Sequence, residues 1–171
     1  MRKMVLIGAL AVGVSLVASA QASAQTAVVM RTTANGGEET PAPILSGAVA
    51  AVEIAVDTTN QELAVNMRVF NLPNGSTASH IHVGPKGVAG PVVIDFPIGT
   101  GRTGDFRLNF RVHDGPAFHA RPEIGINTFA DALQAIAGGN AYVNIHTSAF
   151  PGGEIRGQLA PADPNTTQHP Q

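Results

Sequence analysis

Two histidines one residue apart, His80 and His82 in Ser79-His80-Ile81-His82-Val83-Gly84-Pro85, are joined by a third, His146 in Ala141-Tyr142-Val143-Asn144-Ile145-His146-Thr147-Ser148. No other residues in the chain are as well suited to chemistry. Successive side chains of an extended strand alternate, so His80 and His82 share one face while Ile81 and Val83 turn to the other and can enter a core. The same alternation puts Tyr142, Asn144 and His146 together, with Val143 and Ile145 on the reverse. If the two strands are neighbours, three imidazoles converge on one point. Neutral imidazole suits zinc, copper, iron or nickel better than calcium or magnesium, so copper or zinc is the expected ion. Such an ion would leave as pH falls through about 6, when imidazoles protonate. The same histidines also fit a plainer role as surface rings bonded to loop carbonyls, since His-x-His alone is a common pattern.

Other polar residues have more ordinary expectations. Tyr142 and Asn144 join the candidate site through the face they share with His146, although a strand Tyr is often simply buried and an Asn often holds a loop. Glu154 and Arg156 follow Pro151-Gly152-Gly153, where the glycines permit a tight reversal. With Ile155 pointing inward, the two charges lie on the opposite face, suited to a structural ion pair, to bonds with neighbouring backbone, or to partner recognition. His113 and His119 flank the turn signal Asp114-Gly115-Pro116 and are expected to frame a loop. Ser79 and Ser148 lack a nucleophile elbow, an ordered acidic partner or a phosphate loop, so no catalytic residue is assigned.

The elements that must position these residues are strands. From Val28 onward short Val, Ile, Leu and Phe segments are punctuated by Gly, Pro, Asn and Asp, and alternation is clear in Ala48 to Asp57, Glu62 to Leu72, Arg107 to His113 and Ala141 to Thr147. The polar stretch Asp57 to Gln61 predicts a hairpin between the first two. Val92 to Phe96, bounded by Pro91 and Pro97, predicts an edge or a strand terminus. One short connecting helix is expected, with Thr128 and Asp131 at its start, an apolar face of Phe129, Leu133 and Ile136 or Ala137, and Gly138-Gly139 as its stop. The expected fold is all-β, a Greek-key-like sandwich or barrel of about seven or eight strands.

Composition bounds the rest. The chain has 171 residues, 13% of them charged and none of them cysteine, so disulfides, thiolate metal sites and cysteine nucleophiles are excluded and any metal must use His, Asp or Glu. Met1-Arg2-Lys3, the apolar run to Val17 and the small-x-small pattern ending at Ala24 have the layout of a secretory signal peptide, residues 1–24. Removing it takes the formal charge from -2 to -4 and leaves Lys86 as the one lysine. No basic patch suits nucleic acid, and the same balance disfavours anionic lipid. The expected product is a single domain over residues 25–160, exported to the periplasm or the medium without an integral membrane anchor, ending in a flexible tail over 161–171 that carries His169.

These segments resemble the CHRD domain, the repeat of chordin that also occurs as single copies in exported bacterial proteins. The resemblance rests on Gly37-Glu38-Glu39-Thr40-Pro41, Ala78 to Pro85, Gly90-Pro91-Val92-Val93, Ala141 to Thr147, and Phe150-Pro151-Gly152-Gly153-Glu154-Ile155-Arg156-Gly157-Gln158-Leu159. It implies a compact all-β extracellular domain in which His80, His82, His146, Glu154 and Arg156 hold characteristic positions with no catalytic assignment. Chordin antagonises bone morphogenetic proteins, but the cysteine-rich modules that accompany its repeats are lacking here, so that role does not carry over. The segment Arg111 to Asn127 departs from the family's regular pattern. Three functions are consistent with all this: a binding module for a transition metal or an envelope or extracellular protein partner, a small metalloenzyme resembling Cu/Zn superoxide dismutase, and a structural envelope protein whose histidines fix loops.

Overall fold

A computed structural model describes residues 27–163. The proposed signal peptide, most of the C-terminal tail and His169 lie outside the described residues. Among the described residues there are nine strands and one α-helix: β1 Val28–Asn35, β2 Val49–Asp57, β3 Glu62–Leu72, β4 Ser76–Val83, β5 Val92–Asp95, β6 Gly104–His113, α1 Phe129–Ala137, β7 Ala141–Thr147, β8 Ile155–Gln158 and β9 Ala160–Pro161. All pair antiparallel in one sheet of order β5-β4-β7-β8-β1-β2-β3-β6, with β9 on β1. The all-β expectation holds, and the strands form a single curled sheet.

The curl follows from chain length. Only residues 73–75 link β3 to β4, yet the two strands stand five neighbours apart in the sheet. Five steps of about 4.8 Å make roughly 24 Å across a flat sheet, whereas so short a link spans at most about 14 Å. The sheet must therefore bend until β4 approaches β3. The chain beyond β6 then returns along the outer edge of β5: the Asp95 N–H donates to Ala117 O at 2.9 Å and the His119 N–H to Val93 O at 2.9 Å. This covers the edge that the flanking prolines predicted.

Alternation builds the core. Ile54, Leu63, Val65, Met67, Ile81, Val143 and Ile145 turn to the concave side and are buried. Helix α1 adds Phe129, Ala132, Leu133 and Ile136. Its start is a capping box, in which the Asp131 N–H donates to Thr128 Oγ1 and the Thr128 N–H to Asp131 Oδ2 at 2.8 Å. The β2–β3 hairpin forms as predicted, with Asp57 Oδ1 accepting the Thr59 and Asn60 N–H groups. At the C-terminal end the expectation of a free tail from Pro161 is corrected. Pro161 pairs with Met30, and the Ala162 N–H donates to Val29 O at 2.7 Å, because β1 offers these residues an unpaired stretch of backbone. Among the described residues no helix is long and apolar enough to cross a membrane.

Candidate metal centre

Strands β4 and β7 are neighbours, with His82 opposite Tyr142, His80 opposite Asn144 and Ala78 opposite His146. That register puts all three imidazoles on the convex face. One ring nitrogen from each of His80, His82 and His146 lies within 4.8 Å of the others, and the group could hold a metal ion. His80 Nδ1 and His146 Nε2 are 3.0 Å apart. The face is not an open polar surface, however: Tyr142, Asn144 and His82 are buried under the loops that follow β1, β4 and β7.

Each ring has its outer nitrogen against an oxygen. His82 donates Nδ1–H to Gly90 O at 2.9 Å, and His146 donates Nδ1–H to Pro151 O at 2.9 Å. His80 Nε2 stands 3.6 Å from Asp95 Oδ1, and the other oxygen of Asp95 accepts Nε2–H of His119 at 2.8 Å. Carbonyls and carboxylates in these positions fix the tautomer and orientation of ligating imidazoles. With its Nδ1 committed to Gly90, His82 presents a buried Nε2 that has no hydrogen-bond partner. An unpaired buried polar atom costs roughly 1–3 kcal/mol, and a cation at the centre of the cluster would relieve it. Burial pushes the His82 pKa down to about 4 and lowers those of His80 and His146, the first also through its neighbour His146. The rings are therefore neutral near pH 7, the form that ligates.

A stack supports the cluster. The Tyr142 ring lies parallel to His82 with centroids 4.8 Å apart, and the Arg156 guanidinium carbon sits 3.5 Å from the centroid of the same ring. Tyr142 Oη accepts the Gly90 N–H at 2.9 Å, which ties the loop over His82. Only glycine fits at position 90, since a Cβ there would come within 1.8 Å of Val83 O. Arg156, 1% exposed, donates to Thr40 Oγ1 at 2.7 Å and to Val88 O at 2.8 Å, so it pins the loops after β1 and β4 to the sheet.

Glu154 and Arg156 do not pair with each other, which corrects the ion-pair alternative. Glu154 is wholly buried and accepts from Thr147 Oγ1 at 2.6 Å, Ser46 Oγ at 2.7 Å and Asn74 Nδ2 at 3.1 Å. The acidic residue that Arg156 influences is Glu39, whose carboxyl burial pushes up to about 7 against the opposing pulls of Asn144, Arg156 and the Thr40 N–H. His113 stays at the end of β6, 3.2 Å from Glu62, away from the cluster.

Sequence reasoning did not single out Asp95, His119 or Glu39 as site residues. Asp95 had a signal, as the lone acid ending the apolar run Val92-Val93-Ile94. Pairing of β4 with β5 puts it opposite His80. His119 was expected to frame a loop, and its loop is the one that carries it onto Asp95.

The fold and the convex-face cluster define an all-β domain with a half-buried polar site of three imidazoles, of which His82 is the buried one. The CHRD domain model matches residues 30–159, the bulk of the sequence, and the chain belongs to the CHRD domain family. No curated protein and no solved structure matches it.

Proposed function

We propose that this protein is an exported CHRD binding module whose His80, His82 and His146 hold one copper or zinc ion. The observation that carries the reading is the buried Nε2 of His82, left unpaired in the cluster while the outer nitrogens of His82 and His146 are held by Gly90 O and Pro151 O. With an ion bound, His80 would carry its proton on Nε2, facing Asp95. Bonds of about 2.0–2.1 Å cannot join nitrogens more than about 4.2 Å apart, so the widest pair must close by at least half an ångström or so on binding. Export is supported by the layout of residues 1–24, and the ion could come from the periplasm or the medium.

Titration calorimetry with Cu(II) and with Zn(II) near pH 7 tests this. One ion per chain is expected, and the His80→Ala/His146→Ala double variant should lose about a hundredfold in affinity or more. No uptake of either ion, or unchanged affinity in the double variant, would overturn the reading. Asp95→Ala and His119→Ala leave all three ligands in place and are expected to weaken binding by about tenfold, with Asp95→Ala the larger.

A second reading has its own support, because the bonds from His82 and His146 to Gly90 O and Pro151 O also fix loops. If that is their whole role, His146→Ala lowers the melting temperature of protein that takes up no metal.

A further inference from the structure

Strand β6 pairs only with β3, and among the described residues no backbone hydrogen bond satisfies its other edge. It is ten residues long, and an edge of that length exposes a row of donors and acceptors ready to pair with another strand. Its inward-facing Phe106, Leu108 and Phe110 are only partly buried, unlike the equivalent residues of β2 and β3. Its outward-facing residues are Asp105, Arg107, Asn109 and Arg111, all exposed.

We infer that the free edge of β6 pairs antiparallel with the β6 of a second copy of this chain, in the register that sets Leu108 opposite Leu108. In that register Asp105 faces Arg111 of the other copy, Arg107 faces Asn109, and Phe106 faces Phe110. Slipping two residues one way sets Arg107 opposite Arg107, and slipping two the other way sets Arg107 opposite Arg111. Like charges directly opposite are destabilising, so of these three registers only the first avoids a cation pair. The paired form also completes the apolar row on the concave side. Asp105 and Arg111 already have partners in their own chain, the Asn71 N–H at 2.8 Å and Glu62, but a carboxylate has a second oxygen and a guanidinium has further donors. Arg107 has no ion pair among the described residues and gains Asn109 as a hydrogen-bond partner. A two-fold interface of this kind is self-complementary and closes at two subunits.

Sedimentation equilibrium on protein expressed from the 171-residue sequence, at concentrations up to about 1 mM, is the test. A reversible monomer–dimer equilibrium is expected. Asn109 is exposed and its change leaves the fold alone, so two variants at this position isolate the interface. Asn109→Glu sets an acid opposite Arg107 twice per dimer and should tighten association about tenfold, whereas Asn109→Lys should loosen it about tenfold. Thermal melts at low concentration should be the same for all three. A wild-type chain that stays monomeric throughout, or two variants that shift association in the same direction or not at all, would overturn the proposal.

Discussion

Arg156→Met is expected to lower the unfolding free energy by about 3–4 kcal/mol, the largest effect of any single substitution considered for this protein. Methionine keeps much of the apolar bulk over Tyr142 but supplies none of the bonds to Thr40 Oγ1, Val88 O and Pro85 O. The Val88 and Pro85 carbonyls would lose a charge-assisted partner, and the cation over the aromatic face would go as well. For a domain of this size the melting temperature should fall by about 10–15 °C, as differential scanning calorimetry would read. Arg156→Lys should recover less than half of the loss, because a point charge on a flexible stem cannot stack and fork at once. A fall of less than about 3 °C for Arg156→Met would mean that the loops after β1 and β4 are held by something else.

The second large effect is in the pH dependence of stability, where two buried groups act in opposite directions. The Glu39 carboxyl has a pKa of about 7 in the fold against an ordinary 4.5, so its contribution is fully present below pH 4.5 and is lost as pH rises through 7. His82, at about 4 against an ordinary 6.5, contributes fully above pH 6.5 and loses that contribution as pH falls toward 4. Each displacement corresponds to about 3 kcal/mol, and between pH 4.5 and 6.5 the two oppose each other. Glu39→Gln removes one side of this balance. Its stability relative to wild type should therefore rise by about 3 kcal/mol between pH 4.5 and pH 8, measured by urea denaturation of the metal-free protein. In the variant, stability should climb with pH up to about 6.5, since the lowered pKa values of His80 and His146 act in the same direction as that of His82. A difference between the two proteins that does not change with pH would show that Glu39 is charged and well solvated.

The lowered histidine pKa values also move the expected release of metal. Model imidazoles protonate near 6.5, which is why release near pH 6 follows from composition alone. In the fold, burial disfavours the imidazolium form of all three rings, so protons compete less well and release should fall below pH 6.

How much of this was legible in the sequence differs from residue to residue. The faces of β4 and β7 were, because side-chain alternation is a local property and Ile81, Val83, Val143 and Ile145 had only one core to enter. The α1 cap at Thr128 and Asp131 was legible for the same reason, since a capping box spans four consecutive residues. The pairing of β4 with β7 was a condition that the sequence stated and could not check. The fate of Glu154 and Arg156 was misjudged in part. Two opposite charges on one strand face suggested an ion pair or bonds to neighbouring backbone. No ion pair forms between them: the fold surrounds Glu154 with hydroxyl and amide donors, and Arg156 makes the backbone bonds, to Val88 O and Pro85 O, while stacked over an aromatic ring.

What the sequence determined by itself was the absence of cysteine chemistry, set by composition, and which side chains share a face together with most of the secondary structure apart from β9, set by spacings of one to four residues. The tertiary structure alone decided that Asp95 stands beside His80 and His119 beside Asp95, that Glu39 is buried near Arg156, and that Arg156 lies over Tyr142. Arg156 and Thr40 are 116 residues apart in the chain, and Asn144 and Glu39 are 105 apart. Contacts over such separations depend on which strands the fold sets side by side: β8 stands between β1 and β7, with Arg156 opposite Asn35 on one side and Asn144 on the other.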